Sequence, residues 1–281
     1  MRLTKKGGQD YYSWTCQRSV HQRTRTMKSI RDRSLFHRSH LSLFQWMQFI
    51  YRFAQGLRLR QVDMMQDEIA ASTTTLSSMS QKLRQVCREA VEKMRIKKGQ
   101  LLGGRREFVL IDESLFRHKR KYGRGRMGGT WRRRKWVFGM LGVKQEEQKG
   151  KRVKPVLRLV ERRGRQNLVP LIALHVKTGS SIISDEWRAY RTLGELGFNH
   201  VAVNHSRWYV DPRTGAHTQH IERAWRSIKE QVWRQRGNRT ERLLSDHLCL
   251  VEWMEWLGRR HKGGPLGMLL HDIAKTYQVP S

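Results

Sequence analysis

The first third of the chain carries apolar residues at helical spacing. The apolar face of the first predicted helix consists of Leu41, Phe44, Met47, Ile50 and Tyr51. A second helix is predicted over 59–69 and a third over 76–94. Three such helices favour a helix-turn-helix-like DNA-binding domain over 34–98, although many three-helix units serve only for packing. Residues 1–33 are basic and polar and predict a poorly ordered segment.

From residue 105 the pattern changes to short apolar runs that indicate strands. The predicted strands cover 108–111, 136–143, 156–160, 181–184 and 200–203. Helices are predicted over 167–176 and 189–196, and the buried face of a later helix consists of Ile221, Trp225, Ile228 and Val232. Three strands followed by alternating helices and strands is the order of the ribonuclease H-like fold.

The predicted architecture is therefore α/β. A ribonuclease H-like catalytic domain over 105–240, with a mixed five-stranded sheet and helices, follows the all-helical domain. Residues 241–281 form C-terminal helices, the first capped by Thr240, and these are expected to pack on the catalytic domain.

Three acidic residues fall on elements that could bring them together. Asp112 ends the first predicted strand and Asp185 the fourth, and in this topology the two strands are neighbours. Glu222 begins the helix with the buried face, next to that face. Taken singly, each has a plain structural role: an aspartate after a strand is often a turn residue, and Glu222 could pair with Arg226. Their joint placement predicts a shared site.

Three carboxylates in one place repel each other unless they hold cations, and hard divalent ions prefer oxygen ligands. Two such ions activate a water or a 3′-hydroxyl and stabilise a leaving oxygen, which is the chemistry of DNA cleavage and strand transfer. Asp112, Asp185 and Glu222 are therefore the predicted catalytic residues and metal ligands. Strand alternation turns the neighbouring Glu113 and Glu186 away from them.

The charge favours a polyanionic partner, because 57 Lys and Arg oppose 24 Asp and Glu. Between Arg117 and Arg134 the chain carries nine basic residues and no acid: Arg117, Lys119, Arg120, Lys121, Arg124, Arg126, Arg132, Arg133 and Arg134. They predict a groove for the DNA backbone, with Arg226 and Lys229 as further contacts. A solvated loop or a nuclear import signal would have the same composition.

Cysteine usage and hydropathy indicate an intracellular protein without membrane association. Cys16, Cys87 and Cys249 lie far apart and form no CxxC pair, which is typical of a reducing compartment. No apolar run approaches the roughly 18 residues of a membrane span. Cys16, His21, His37 and His40 are irregularly spaced, so zinc is not expected.

Three sequence blocks resemble the Merlin superfamily of eukaryotic DNA transposases and its bacterial insertion-sequence relatives of the ISXO2-like type. The first block comprises IDES (111–114), KRKY (119–122) and WVFG (136–139), and the second is ISDEWRAY (183–190). The third comprises VNHS (203–206), VDP (210–212) and GAHTQHIERAW (215–225). Each block holds one residue of the acidic trio.

The resemblance implies a DDE transposase that excises DNA at terminal inverted repeats and reinserts it into target DNA. It implies Mg²⁺ as the ion, with Mn²⁺ as a substitute, a homodimer on paired ends, and the nucleus in a eukaryotic host. Some bacterial relatives carry an asparagine near the position of Gln219 as the third ligand; here Glu222 is retained. A catalytically silent DNA-binding protein derived from a transposase and a general nuclease remain the alternatives.

Overall fold

The computed structural model describes residues 1–7, 10–18, 26–57, 59, 61–117, 134–144, 153–203, 219–235 and 240–277. The chain divides into two compact units, Met1–Val86 with Lys262–Ser281, and Cys87–His261. Within the described ranges, no helix is both long enough and apolar enough to cross a lipid bilayer.

A small antiparallel sheet lies at the beginning of the first unit. Its strands, in order, are β1 (Arg2–Lys5), β2 (Tyr12–Thr15) and β3 (Met27–Ser29). The buried Arg31 forms an ion pair with Asp10 and donates to the carbonyl oxygens of Ser39 and Leu41. The prediction of a poorly ordered segment over 1–33 is therefore wrong for these strands, because short polar strands give no alternating apolar pattern.

Three helices lie close to where the sequence predicts them: α1 (Leu43–Ala54), α2 (Gln61–Gln66) and α3 (Thr73–Lys98). A capping box between Ser42 and Gln45 begins α1. The predicted apolar face of α1 is wrong for Phe44, Met47 and Tyr51, which are exposed. Apolar residues occur all around this helix, and the buried ones are Trp46, Phe49, Ile50, Phe53 and Ala54. Recognition of DNA by these helices stays a prediction.

The second unit is built on a mixed sheet of five strands: β4 (Glu107–Arg117), β5 (Arg134–Lys144), β6 (Lys154–Val160), β7 (Ser181–Asp185) and β8 (Asn199–Val203). Their order is β6-β5-β4-β7-β8, with β4 antiparallel to β5 and parallel to β7. The predicted mixed sheet is confirmed, and it is consistent with a ribonuclease H-like domain.

The central strand β4 is longer than predicted. It continues past Asp112 to Arg117 and stays paired with β5 along that length. The prediction that Asp112 ends the strand is therefore wrong. The sequence pattern does not predict the last five residues of β4, because the polar residues Asp112, Glu113 and Ser114 interrupt the apolar run.

Helices cover both faces of this sheet. Successive side chains of β4 point to opposite faces, and they therefore pack in two separate hydrophobic clusters. Val109 and Ile111 pack in the cluster of α4 (Arg165–His175). Leu110 and Phe116 pack in the cluster of α5 (Gln219–Arg234) and α6 (Glu241–Trp256). The predicted buried face of α5 is confirmed for all four of its residues: Ile221, Trp225, Ile228 and Val232.

The segment between β7 and β8 differs from the prediction of a helix over 189–196. A 3₁₀ turn covers Arg188–Tyr190, and further turns lead to Gly197, whose φ is +82°. Gly194 and Gly197 oppose a continuous helix because glycine loses more conformational entropy than other residues.

The last helix, α7 (Gly264–Thr276), belongs to the first unit, where it contacts α1. The sequence predicts instead that the whole of 241–281 packs on the catalytic domain. In the second unit α6 packs against β6, whereas α7 lies outside that unit. An amphipathic pattern identifies the buried face of a helix, here with Leu269, but not the element that covers it.

A buried carboxylate joins α3, β6 and α6 within the second unit. Glu252 of α6 is 0% exposed. Its Oε1 accepts hydrogen bonds from the backbone N–H of Leu157 and from Arg158, both at 2.7 Å. Its Oε2 accepts from Arg95 and Gln100, also at 2.7 Å. Two guanidinium groups therefore neutralise one carboxylate that water does not reach.

We expect Glu252→Ala to lower the free energy of unfolding by about 3–5 kcal/mol, because both arginines lose their buried counter-charge. Glu230→Ala is the control, since it breaks only the exposed ion pair with Arg234 on α5, and such a pair contributes about 0.3–0.5 kcal/mol. Denaturant unfolding followed by circular dichroism measures both. Equal losses in the two variants would contradict the assigned role of Glu252.

Candidate active site

Asp112 and Asp185 lie at the same level on two neighbouring parallel strands. The last paired residues of β4 and β7 are Leu110 and Ile183, and each aspartate follows two positions later. Side chains two positions apart on a strand share a face. Both aspartates therefore project on the face that Leu110 and Ile183 share with α5.

Two donors among the described residues contact the carboxylate of Asp112. The indole Nε1 of Trp225 donates to Oδ2 at 2.9 Å, and the backbone N–H of Glu113 donates to Oδ1 at 2.7 Å. The ring of Trp225 also packs edge-on against Phe116, with 6.1 Å between ring centroids. One orientation of Asp112 is thereby favoured.

The missing side chain of Gly139 makes room for this indole. Gly139 on β5 pairs directly with Asp112 on β4. A Cβ at Gly139 would lie 2.6 Å from both Cζ2 and Cη2 of Trp225. The sequence gives this glycine no special signal, because the close approach exists only once α5 packs on the sheet.

Glu222 is exposed in the first turn of α5, three residues before Trp225. Residues three apart are neighbours on a helix surface, so Glu222 lies about one turn from the residue that contacts Asp112. Across the described part of the chain, no group of three or more His, Cys, Asp and Glu side chains is arranged to hold a metal ion. The structure thus brings Asp112 and Asp185 together and leaves Glu222 on the adjacent helix.

A third carboxyl group, Glu113, lies on the opposite face of β4. It accepts a hydrogen bond from the Tyr190 hydroxyl. Burial, together with the charges of Asp112 and Asp185, raises the pKa of Glu113 to about 8, although nearby Arg163 lowers it. In the absence of a cation, Glu113 therefore keeps its proton at neutral pH and does not add to the negative charge of the aspartates.

The donor set fits a hard divalent cation. Carboxylate oxygens are the ligands that such ions prefer, and both aspartates lie close enough to Glu113 for their charges to add to the effect of burial on its pKa. Asp112 and Asp185 would hold the ion, and Glu222 is the carboxylate closest in sequence to the α5 residue that contacts Asp112.

Two tryptophans enclose an arginine beside this pair. The guanidinium carbon of Arg163, between β6 and α4, lies 4.0 Å from the ring centroid of Trp136 and 4.9 Å from that of Trp187. The Trp187 indole donates to the carbonyl oxygen of Arg163 at 2.9 Å, and its backbone N–H donates to Oδ1 of Asp185 at 3.1 Å. Sequence reasoning missed this cluster because its residues come from three distant segments.

Most of the predicted DNA-binding residues lie outside the described residues: Lys119, Arg120, Lys121, Arg124, Arg126, Arg132 and Arg133. Arg117 and Arg134 form the last backbone pair between β4 and β5. The basic segment 118–133 therefore connects the two strands beyond the level of Asp112. On α5, Arg226 is exposed, and the Lys229 ammonium lies 5.6 Å from the ring centroid of Phe116.

Residues 100–235 match the family model of the ISXO2-like transposase domain. The matched segment contains Asp112, Asp185 and Glu222. No curated protein matches the chain, and no solved structure matches it. Transposases of the DDE type generally use divalent metal ions, which agrees with the oxygen donors of the aspartate pair.

Gly139→Ala tests the contact between β5 and Trp225. We expect a loss of about 1–3 kcal/mol in the free energy of unfolding, because the new Cβ overlaps the indole. The loss should shrink in a Trp225→Phe background, where the smaller ring leaves space. Gly194→Ala is the matched control, since nothing lies within 4 Å of its Cβ position. Denaturant unfolding gives all values, and an undiminished loss in the Trp225→Phe background would disprove the contact.

Glu113→Gln tests the raised pKa through the pH dependence of stability, measured in EDTA. The folded state holds a proton that the unfolded state releases, so the contribution of Glu113 is complete below pH 4.5 and is lost as the pH rises to about 8. Glutamine mimics the protonated acid. The variant should therefore have the same thermal stability as the wild type near pH 4.5 and a higher thermal stability near pH 8. Parallel profiles would contradict the raised pKa.

Proposed function

We propose that this protein, whose residues 100–235 match the model of the ISXO2-like transposase domain, is a cut-and-paste DDE transposase. It cleaves DNA at terminal inverted repeats and joins the cut ends to target DNA. The observation that carries the proposal is the aspartate pair at one level of β4 and β7, with Asp112 oriented by Trp225. Glu222, one turn before Trp225, is the third proposed carboxylate.

The proposed metal is Mg²⁺, with Mn²⁺ as a substitute, and its ligands are Asp112, Asp185 and Glu222. When bound, the ions activate a water or a 3′-hydroxyl and stabilise the leaving oxygen. The chain contributes preorganisation: the indole N–H of Trp225 and the backbone N–H of Glu113 each donate to one carboxylate oxygen of Asp112. A carboxylate oxygen accepts more than one bond, so these contacts orient Asp112 without excluding a cation.

The proposed DNA path uses the basic residues that follow Asp112 in the sequence, together with two residues of α5. They are Arg117, Lys119, Arg120, Lys121, Arg124, Arg126, Arg132, Arg133 and Arg134, with Arg226 and Lys229 on α5. A formal net charge of +33 supports binding to a polyanion. Residues 34–98 are proposed to recognise the inverted repeats, and paired ends are proposed to bind a homodimer. Membership of the Merlin superfamily and a nuclear location in a eukaryotic host belong to the same proposal.

We expect Asp112→Ala, Asp185→Ala and Glu222→Ala each to lower cleavage and strand transfer roughly a hundredfold or more, because each removes a metal ligand. DNA affinity should change little. The substrate is a labelled duplex ending in the inverted repeat that flanks the gene, incubated with Mg²⁺, Mn²⁺ or EDTA. Glu186→Ala is the control, since this exposed acid directly follows Asp185 and is not a proposed ligand.

Each outcome has a distinct meaning. Full activity in one alanine variant removes that residue from the proposed ligand set. Salt-sensitive binding by a wild-type protein that never cuts would favour a silent DNA-binding derivative. Equal cutting of unrelated duplexes would favour a general nuclease.

A further inference from the structure

We propose that Arg163, enclosed by Trp136 and Trp187, binds a phosphate of the DNA strand beside the cleavage point. The proposal rests on the transposase function above and adds a contact outside the basic segment 118–133. The two tryptophans pack against the α4 cluster, so this contact lies on the α4 face of the sheet.

The tryptophans orient the guanidinium group. Its carbon lies 4.0 Å from one indole centroid and 4.9 Å from the other. A guanidinium that stacks on aromatic rings still presents N–H donors to an acceptor in its own plane. A side chain held this way loses little rotamer freedom when it binds an anion. The geometry therefore suits bidentate binding of a phosphate, which an unsupported surface lysine would not provide.

The enclosed arginine lies next to the acidic pair. Trp187 contacts Arg163 through its ring and Asp185 through its backbone N–H. The charges of Asp112, Asp185 and Arg163 all act on the same carboxyl group, that of Glu113. Arg163 lies on the α4 face and the aspartates project on the α5 face, so the proposed strand passes around the end of β7, where Trp187 contacts both Arg163 and Asp185.

The charge of Arg163 is not neutralised within the described residues. Elsewhere, the buried Arg31 and the half-buried Arg95 and Arg158 each pair with a carboxylate. In contrast, Arg163 forms no ion pair with any described acid, and neither do three arginines close in sequence to it or to Asp185: Arg162, Arg165 and Arg188. Four cations without a counter-charge in the described part of the protein favour the DNA backbone as their partner.

The test compares Arg163→Ala and Arg163→Lys with Arg105→Ala. Arg105 is an exposed arginine before the beginning of β4, and its replacement removes the same charge from the same domain. Binding to the labelled inverted-repeat duplex is measured in Ca²⁺ over a range of salt concentrations. Cleavage is measured in Mg²⁺, and circular dichroism checks that each variant folds.

We expect Arg163→Ala to lower cleavage about tenfold and to reduce the slope of log affinity against log salt by about one, the change for one lost phosphate contact. Arg163→Lys should restore the slope but not the cleavage, because lysine keeps the charge without the planar stack. Arg105→Ala should retain wild-type cleavage. If Arg163→Ala behaves like Arg105→Ala in both assays, the proposal is wrong.

A second measurement leaves the protein unaltered. Neutral methylphosphonates replace single phosphates of the duplex near the cleavage point. One position should weaken binding by the wild type but not weaken binding by Arg163→Ala any further, since the contact is already absent. Additive effects at every position would overturn the proposal. A wild type that binds but does not cut would count against the proposed function, while this binding cycle would still decide the role of Arg163.

Discussion

The second unit depends on the alternation of side chains along β4. This strand lies at the centre of the sheet, and each of its faces must be covered by different helices. Because neighbouring residues point to opposite faces, Asp112 meets Trp225 of α5, whereas Glu113 meets Tyr190 on the α4 side. A shift of one position in the pairing would exchange the two acids and place both hydrophobic sets on the wrong faces.

The second unit contains three acidic side chains with three different surroundings. Glu252 receives two guanidinium groups and holds elements together. Glu113 keeps a proton, because burial and the nearby aspartates raise its pKa to about 8. Asp112 receives hydrogen bonds from an indole and a backbone N–H. The first arrangement pairs a buried negative charge with cations, the second removes the negative charge by protonation, and the third orients a carboxylate so that it suits a cation.

The arginines of the second unit are also held in different ways. Those of the Glu252 network serve the fold, since their charge is matched by a carboxylate beside them. Arg163 is instead held by aromatic faces, which fix a cation without neutralising it. Contact with aromatic rings suits a residue whose counter-charge is supplied by a ligand. Trp187, which contacts Arg163, also contacts Asp185, and this links Arg163 to the chemistry proposed for the aspartates.

The sequence by itself determined the features that local patterns encode. Apolar periodicity identified the five strands and the buried face of α5, and a hydroxyl before an apolar run identified Thr240 as the cap of α6. Tertiary structure decided the features that depend on partners. It chose the buried face of α1, placed α7 against α1, and extended β4 because β5 continued to pair with it. It also joined Trp225 to Asp112 across Gly139, and Arg163 to Trp136 and Trp187. These contacts join residues far apart in the chain, and no local pattern specifies which distant side chain will fill a given space.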